Sequence, residues 1–235
     1  MTRPIRIRSW SRAALLSLAA ALSPASHAQS FCSSDGQTQP ARLLERFTSA
    51  DCESCWADGS APAEPDELAL DWIVPGTRGD GAPLSAAVSP DALARLAALR
   101  RPAPAGADAV RGPVQSPKRG LRVSHGLPYT DYIGASIELK QPRSERWTAW
   151  LLLVETIPAG TEGTSIDRNL VRNTLQLDWG TPARPEPVRR YESRPMTIPA
   201  GAQPERLRVV GLVQDGRGRI RAIAQSRCAP QPPGG

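Results

Sequence analysis

The sequence predicts an α+β fold in two parts, a short α/β portion followed by an antiparallel seven-stranded β-sandwich. Three observations carry that prediction. Leu43, Leu44 and Phe47 mark a buried strand that runs into a loop presenting Cys52 and Cys55, spaced as CxxC. An amphipathic helix pattern follows near residue 90. From Arg119 the apolar period changes to two, and strand-length segments alternate with turn signals.

Residues 1–28 read as a secretory signal peptide. Arg3, Arg6, Arg8 and Arg12 form its basic segment, Ala13–Ser23 its apolar segment, and Ser26-His27-Ala28 a small-x-small cleavage site. The apolar segment is shorter than the roughly 20 residues that span a bilayer, so no membrane span is expected after cleavage. The predicted location is periplasmic or secreted. Export also accounts for much of the charge. The whole chain carries +6, the signal holds four arginines and no acids, and about +2 remains on residues 29–235. No run of five or six basic residues is left there, so a nucleic-acid partner is not expected.

The α/β portion spans residues 29–118. Gln29–Pro40 is polar and turn-rich, an arm held by Cys32. After the Cys52/Cys55 loop, Gly59, Pro62 and Pro65 limit any helix to one or two turns. Glu67–Pro75 (ELALDWIVP) has the content of a second buried strand. Ser89-Pro90-Asp91 supplies an N-cap, a first-turn proline and an early acid for a helix over Pro90–Arg100. Leu93, Leu96, Ala97 and Leu99 form its apolar face. Arg101–Lys118, rich in Pro, Gly and Ala, reads as a linker.

The β-sandwich spans 119–235. Its expected strands are Gly120–His125, Tyr132–Lys140, Arg146–Thr156, Ser165–Trp179, Val188–Ile198, Arg206–Gln214 and Arg219–Cys228. Turns are expected at Pro142-Arg143-Ser144, Pro158-Ala159-Gly160 and Asp215-Gly216-Arg217-Gly218. Seven short strands with regular turns suggest an immunoglobulin-like arrangement. Trp147 and Trp150 fall on opposite faces of their strand, so one of them is expected in the core. On the last strand Ile220, Ala222 and Ala224 share parity with Cys228, which should therefore face inward.

A CxxC delivered by a strand is the sequence form of a thioredoxin-like redox site when a helix begins at or just after its first cysteine. By that logic Cys52 is the nucleophile and Cys55 the resolving thiol. Asp51 and Glu53 flank Cys52 with negative charge, which opposes thiolate formation and favours a stable disulfide. Four cysteines in an oxidising compartment imply two disulfides with three possible connectivities. The preferred one pairs Cys52 with Cys55 and staples Cys32 to Cys228.

The segment Phe47-Thr48-Ser49-Ala50-Asp51-Cys52-Glu53-Ser54-Cys55-Trp56 resembles the motif of an uncharacterised secreted thioredoxin-like family, catalogued as domain of unknown function 1223. Phe47, Thr48, Ser49, Cys52 and Cys55 match it, whereas Asp51 stands in place of glycine and Trp56 in place of proline. Trp150–Val154, Gly160-Thr161-Glu162-Gly163 and Arg168-Asn169-Leu170-Val171-Arg172 are similar to further family segments. The resemblance implies a divergent member with a shortened thioredoxin-like α/β portion. It also implies thiol–disulfide exchange or redox sensing on a protein partner.

Other chemistry finds less support. A zinc site built on the CxxC needs two more ligands, and His125 is the sole histidine after residue 28. No serine-nucleophile motif accompanies it, and no phosphate loop or dinucleotide fingerprint is visible. No cofactor or metal is therefore assigned. Asp167, Arg168, Asn169 and Arg172 form the best polar cluster of the second part, either a ligand or partner surface or, as such clusters more often are, a solvated strand face. The alternative to a redox protein is a non-catalytic periplasmic binding or accessory protein with a structural Cys52–Cys55 disulfide.

Overall fold

The computed structural model describes residues 32–115, 120–140, 146–180 and 189–228. The signal segment 1–28 and the Pro142-Arg143-Ser144 turn lie outside these residues. The strands are β1 (Cys32–Ser33), β2 (Arg42–Ser49), β3 (Glu67–Val74), β4 (Ala107–Pro113), β5 (Leu121–His125), β6 (Tyr132–Leu139), β7 (Trp147–Ile157), β8 (Arg168–Trp179), β9 (Arg190–Thr197), β10 (Leu207–Asp215) and β11 (Ile220–Gln225). Two short helices, α1 (Glu53–Ala57) and α2 (Ala92–Ala98), lie in the first part. The protein is a β-rich α+β fold built on two sheets.

The smaller sheet has the order β1-β5-β6-β9 and the larger β11-β10-β7-β8-β3-β2-β4. The seven strands after residue 119 divide between them: β5, β6 and β9 in one, β7, β8, β10 and β11 in the other. β2 and β3 are parallel, and β3 meets β8 in parallel at Asp71 and Leu170. One sheet thus draws strands from both parts of the chain.

Period-two patterns place apolar side chains on both faces of the large sheet, and both faces are covered. Leu151, Leu153, Val209 and Val213 meet Val123 and Ile137 of the small sheet. On the opposite face Trp72, Trp150, Leu152 and Leu212 pack with Ala92 and Leu96 of α2. Each such side chain contributes roughly 1.5–3 kcal/mol on burial. Double coverage explains why Trp147 and Trp150 are both fully buried, where one was expected. A third cluster, Ala50, Trp56, Ile73, Ile157 and Leu170, closes the sheet near the end of β2.

Four expectations are corrected. The linker segment 101–118 contains β4, which pairs antiparallel with β2. Its side chains alternate between exposed and half-buried because it is an edge strand, and such sparse burial leaves little apolar signal. Pro113 sits at its last position, where a missing N–H is tolerated. α2 buries Ala92, Arg95 and Leu96, while Leu93 is exposed. Ser89 does not cap α2; its buried hydroxyl donates to the Val171 carbonyl at 2.6 Å, tying the turn to β8. On β11 the register shifts between Val213, paired with Ala222, and Gln214, paired with Ile220. Arg221 is the extra residue, so Ile220 leaves the face shared by Ala222 and Ala224, while Cys228 lies three residues beyond the end of β11, where strand alternation no longer sets its direction. Ala222 and Ala224 join the inter-sheet core, Ile223 the opposite one, and Cys228 is exposed.

Arg95 is buried in α2 because its partners are. Its Nε and Nη2 donate to Glu45 at 2.8 and 2.6 Å, and its Nη1 donates to Gln214 at 2.8 Å. Trp72 Nε1 also donates to Glu45, and Trp150 Nε1 to Gln214. Every formal charge in that set has a partner, which burial of charge requires.

Candidate functional site

β2 ends at Ser49, and the chain turns at once: the Cys52 amide donates to the Ser49 carbonyl at 3.0 Å. Cys52 occupies the N-cap position of α1, whose first backbone bond runs from the Trp56 amide to the Cys52 carbonyl. Cys52 and Cys55 are joined in a disulfide, and both are half-buried. The pair therefore stands at the carboxyl end of a strand in a parallel β2–β3 unit, the usual place for sites in sheets of this kind.

α1 has only five residues, too few to persist alone in water. Its carboxyl end is held from β8. Arg168 Nη2 donates to the carbonyls of Trp56 and Asp58, both at 2.7 Å, and the Ser165 hydroxyl donates to Ala57 O at 2.8 Å. A cation at that end also suits the helix dipole. Trp56 is buried, with its indole N–H donated to Glu162 O at 2.8 Å and the Arg168 guanidinium 4.9 Å from its ring centre.

Arg168 reaches back to the sheet through Asp71. Its Nη1 lies 3.1 Å from Asp71 Oδ1, and Arg46 Nε lies 2.8 Å from the same oxygen. Arg46 Nη2 donates to Asp71 Oδ2 at 2.9 Å, and the Asn169 amide donates there at 2.7 Å. Two buried guanidinium groups thus share one carboxylate, and both line the cleft beside Cys55 together with Asp58 and Asp108. Burial pulls Arg168 below the usual arginine range, against the pull of Asp71, yet a guanidinium stays protonated.

The cluster at 167–172 is therefore no solvated face. Arg168 and Arg172 are both buried, and Arg172 pairs with Glu155 at 2.6 Å. Sequence reasoning did not assign Arg46 and Asp71 to the site. Their signal was a charged residue in the middle of an otherwise apolar strand, a combination that burial permits only with a partner.

Asp51 does not confront Cys52 with a free charge. Its carboxylate accepts the Thr77 amide at 2.6 Å, the Thr77 hydroxyl at 2.9 Å, and the Arg78 amide and Nε at 3.3 Å. The Thr77 amide above all, with Thr77 Oγ1 and Arg78, holds Asp51 below the ordinary carboxylate range against a weaker opposing desolvation. Gly76 makes the contact possible, since a Cβ there would lie 2.3 Å from Asp51 Oδ1. Glu53 is exposed and Cys52 Sγ lies 3.6 Å from Ser54 Oγ.

A cleft of about 120 Å³ adjoins the disulfide, lined by Cys55, Arg46, Arg168, Thr48, Asp58 and Asp108. It is smaller than the ~300–1,000 Å³ of small-molecule sites and suits one side chain better than a cofactor. Across it, the approach to β4 brings Gly106 close, where a Cβ would stand 3.4 Å from Cys55 Sγ.

The other two cysteines are also bonded. Cys32 joins Cys228 across 196 residues and ties β1 to the segment after β11. His125 lies beside them and away from the Cys52–Cys55 pair. Among the described residues no helix is long and apolar enough to cross a membrane. No family model matches the chain, and no curated protein or solved structure matches it either.

Proposed function

We propose that this chain is an exported thiol–disulfide exchange or redox-sensing protein that uses Cys52 and Cys55 on a protein partner. The observation that carries the proposal is the half-buried Cys52–Cys55 disulfide at the end of β2, with a helix beginning at Glu53 and a cleft beside Cys55. The resemblance to the secreted thioredoxin-like family and the predicted signal peptide point the same way. In the reducing direction, the Cys52 thiolate attacks a partner disulfide and forms a mixed disulfide, expelling one partner thiolate. The Cys55 thiolate then attacks Cys52 Sγ, which closes the pair and releases the second partner thiolate. The partner gains two electrons and two protons, and the chain gains one disulfide.

The Arg46 and Arg168 guanidinium groups that line the cleft with Cys55 favour a thiolate there, against the Asp58 and Asp108 carboxylates that line it too. Asp51, bound to Thr77 and Arg78, opposes it less than a free carboxylate would.

A second reading, a non-catalytic accessory protein with a structural disulfide, draws on the way Arg168 and Ser165 clamp α1. Reduction potential separates the two. Thiol states would be read by alkylation and peptide mass spectrometry in graded glutathione buffers, with Cys52→Ser as control. Reduction of Cys52–Cys55 within about −120 to −270 mV supports exchange, and Cys55→Ser should then trap a partner as a mixed disulfide. A pair still oxidised beyond about −300 mV is structural, and the exchange proposal fails.

A further inference from the structure

Cys32, His125 and Cys228 form a second cluster on the small sheet. β1 pairs with β5 so that Cys32 and His125 are direct cross-strand partners. Ser33 and Arg227 exchange backbone bonds of 3.0 and 2.9 Å, which brings Cys228 to the same place. One ring nitrogen of His125 and the two sulfurs lie within 4.8 Å of one another. Cys32 is fully buried and His125 only 4% exposed, while Cys228 opens to solvent.

The imidazole is poised in a particular way. His125 Nδ1 lies 2.8 Å from the Gly126 carbonyl, which can only accept, so Nδ1 carries the proton of the neutral ring. Nε2 is then a lone-pair donor, and it is buried without a hydrogen-bond partner. A backbone carbonyl that fixes one nitrogen while the other is left as a ligand is the usual arrangement around metal-binding histidines. A buried acceptor with no partner also calls for an explanation, and a hydrophobic core alone gives none.

We infer that Cys32, Cys228 and His125 are a latent three-ligand site for a thiophilic d¹⁰ cation, closed in the disulfide form and opened by reduction. A dithiol reductant transfers two electrons to the Cys32–Cys228 bond, becomes a disulfide itself, and leaves two thiols. The cation then displaces two protons and takes both sulfurs and Nε2. The sulfurs must separate to about 3.8 Å, the span across a tetrahedral ion with ~2.3 Å bonds to sulfur. Two thiolates and one imidazole leave a fourth position, which faces the exposed side of Cys228. The Cys32–Cys228 bond is thereby a switch as well as a staple. The inference is independent of the chemistry at Cys52–Cys55.

The test uses residues 29–235 carrying Cys52→Ser and Cys55→Ser, so that the remaining thiols are Cys32 and Cys228. Cd²⁺ is titrated anaerobically into the reduced and the oxidised protein, reading the ultraviolet sulfur-to-cadmium band, with Zn²⁺ in competition. One ion per reduced chain, none per oxidised chain, and at least about tenfold weaker binding by His125→Ala are expected, since even lost second-shell groups cost ten- to a hundredfold. Equal affinity in His125→Ala, no binding on reduction, or equal binding to the disulfide form overturns the site. Thermal unfolding of the reduced chains guards against loss of structure. Zn²⁺ should raise the melting temperature of the reduced parent and not that of reduced His125→Ala. A reduced chain that stays unfolded in Zn²⁺ also overturns the inference, because the ligands converge only in the folded state.

Discussion

Asp71→Ala should remove about 3–5 kcal/mol of folding stability, the usual cost of stranding buried charge. The side chain is 3% exposed, lies 2.8 Å from Arg46 Nε, and accepts from Arg46 Nη2 at 2.9 Å, Arg168 at 3.1 Å and the Asn169 amide at 2.7 Å. Deleting it leaves two guanidinium groups, themselves 4% and 3% exposed, without their shared carboxylate. The exposed Arg42–Glu64 pair, whose arginine shares β2 with Arg46, gives the contrast: its side chains are 40% and 49% exposed, so Glu64→Ala should cost no more than about 1 kcal/mol. For a chain of this size the Asp71→Ala loss corresponds to a melting-temperature drop of roughly 6–20 °C. Urea unfolding followed by tryptophan fluorescence measures it, and a double-mutant cycle with Arg168→Met isolates the shared term. Because Arg168 also anchors α1, amide exchange at Trp56 should speed up in Asp71→Ala. A loss below about 1 kcal/mol, equal to that of Glu64→Ala, would refute the claim that this charge cluster is closed to water.

Gly76→Ala should lower the urea midpoint modestly by displacing the Asp51 carboxylate from Thr77 and Arg78. Most of that loss should vanish in an Asp51→Gly background, and strict additivity in denaturation would count against the contact. Cys228→Ser should cost up to about 5 kcal/mol, the loop-closure ceiling for a bond spanning 196 residues, read as a shift in urea midpoint. His125 is held below the ordinary imidazole range by burial, with the Gly126 carbonyl opposing more weakly. Its unfolded form therefore binds a proton at higher pH than its folded form, so stability present above about pH 6.5 falls as pH drops through the folded value. His125→Gln should flatten the melting-temperature profile in that window, while the acid losses from Asp35, Asp51 and Asp215, all lowered, begin only below about pH 4. An unchanged slope between pH 6.5 and 5 in His125→Gln would place the titrating group elsewhere.

Much of the strand framework is legible locally. The segments from Leu121 to Gln225 announce themselves by alternation and by Gly, Pro and Asp at the turns, and the observed strands lie within a few residues of those patterns. β4 was missed because an edge strand with one neighbour needs little apolar content. The helix face was misread because Arg95, polar by composition, is drawn inward by Glu45 from β2 and Gln214 from β10, 50 and 119 residues away.

By itself the sequence determined the pieces: strand period, the short helix allowed after Cys55, and a CxxC at the end of a strand. Those properties belong to short windows, where steric propensity and alternation act directly. Only the tertiary structure decided which charges are buried, since burial of Arg46, Asp71 and Arg168 depends on three strands meeting across separations of 25 and 97 residues. It also decided that Trp147 and Trp150 are both core, because a sheet covered on two faces has no outer side. The meeting of Cys32, His125 and Cys228 is of the same kind. Two cross-strand pairings set it, Cys32 with His125 and Ser33 with Arg227, and neither is written in local periodicity.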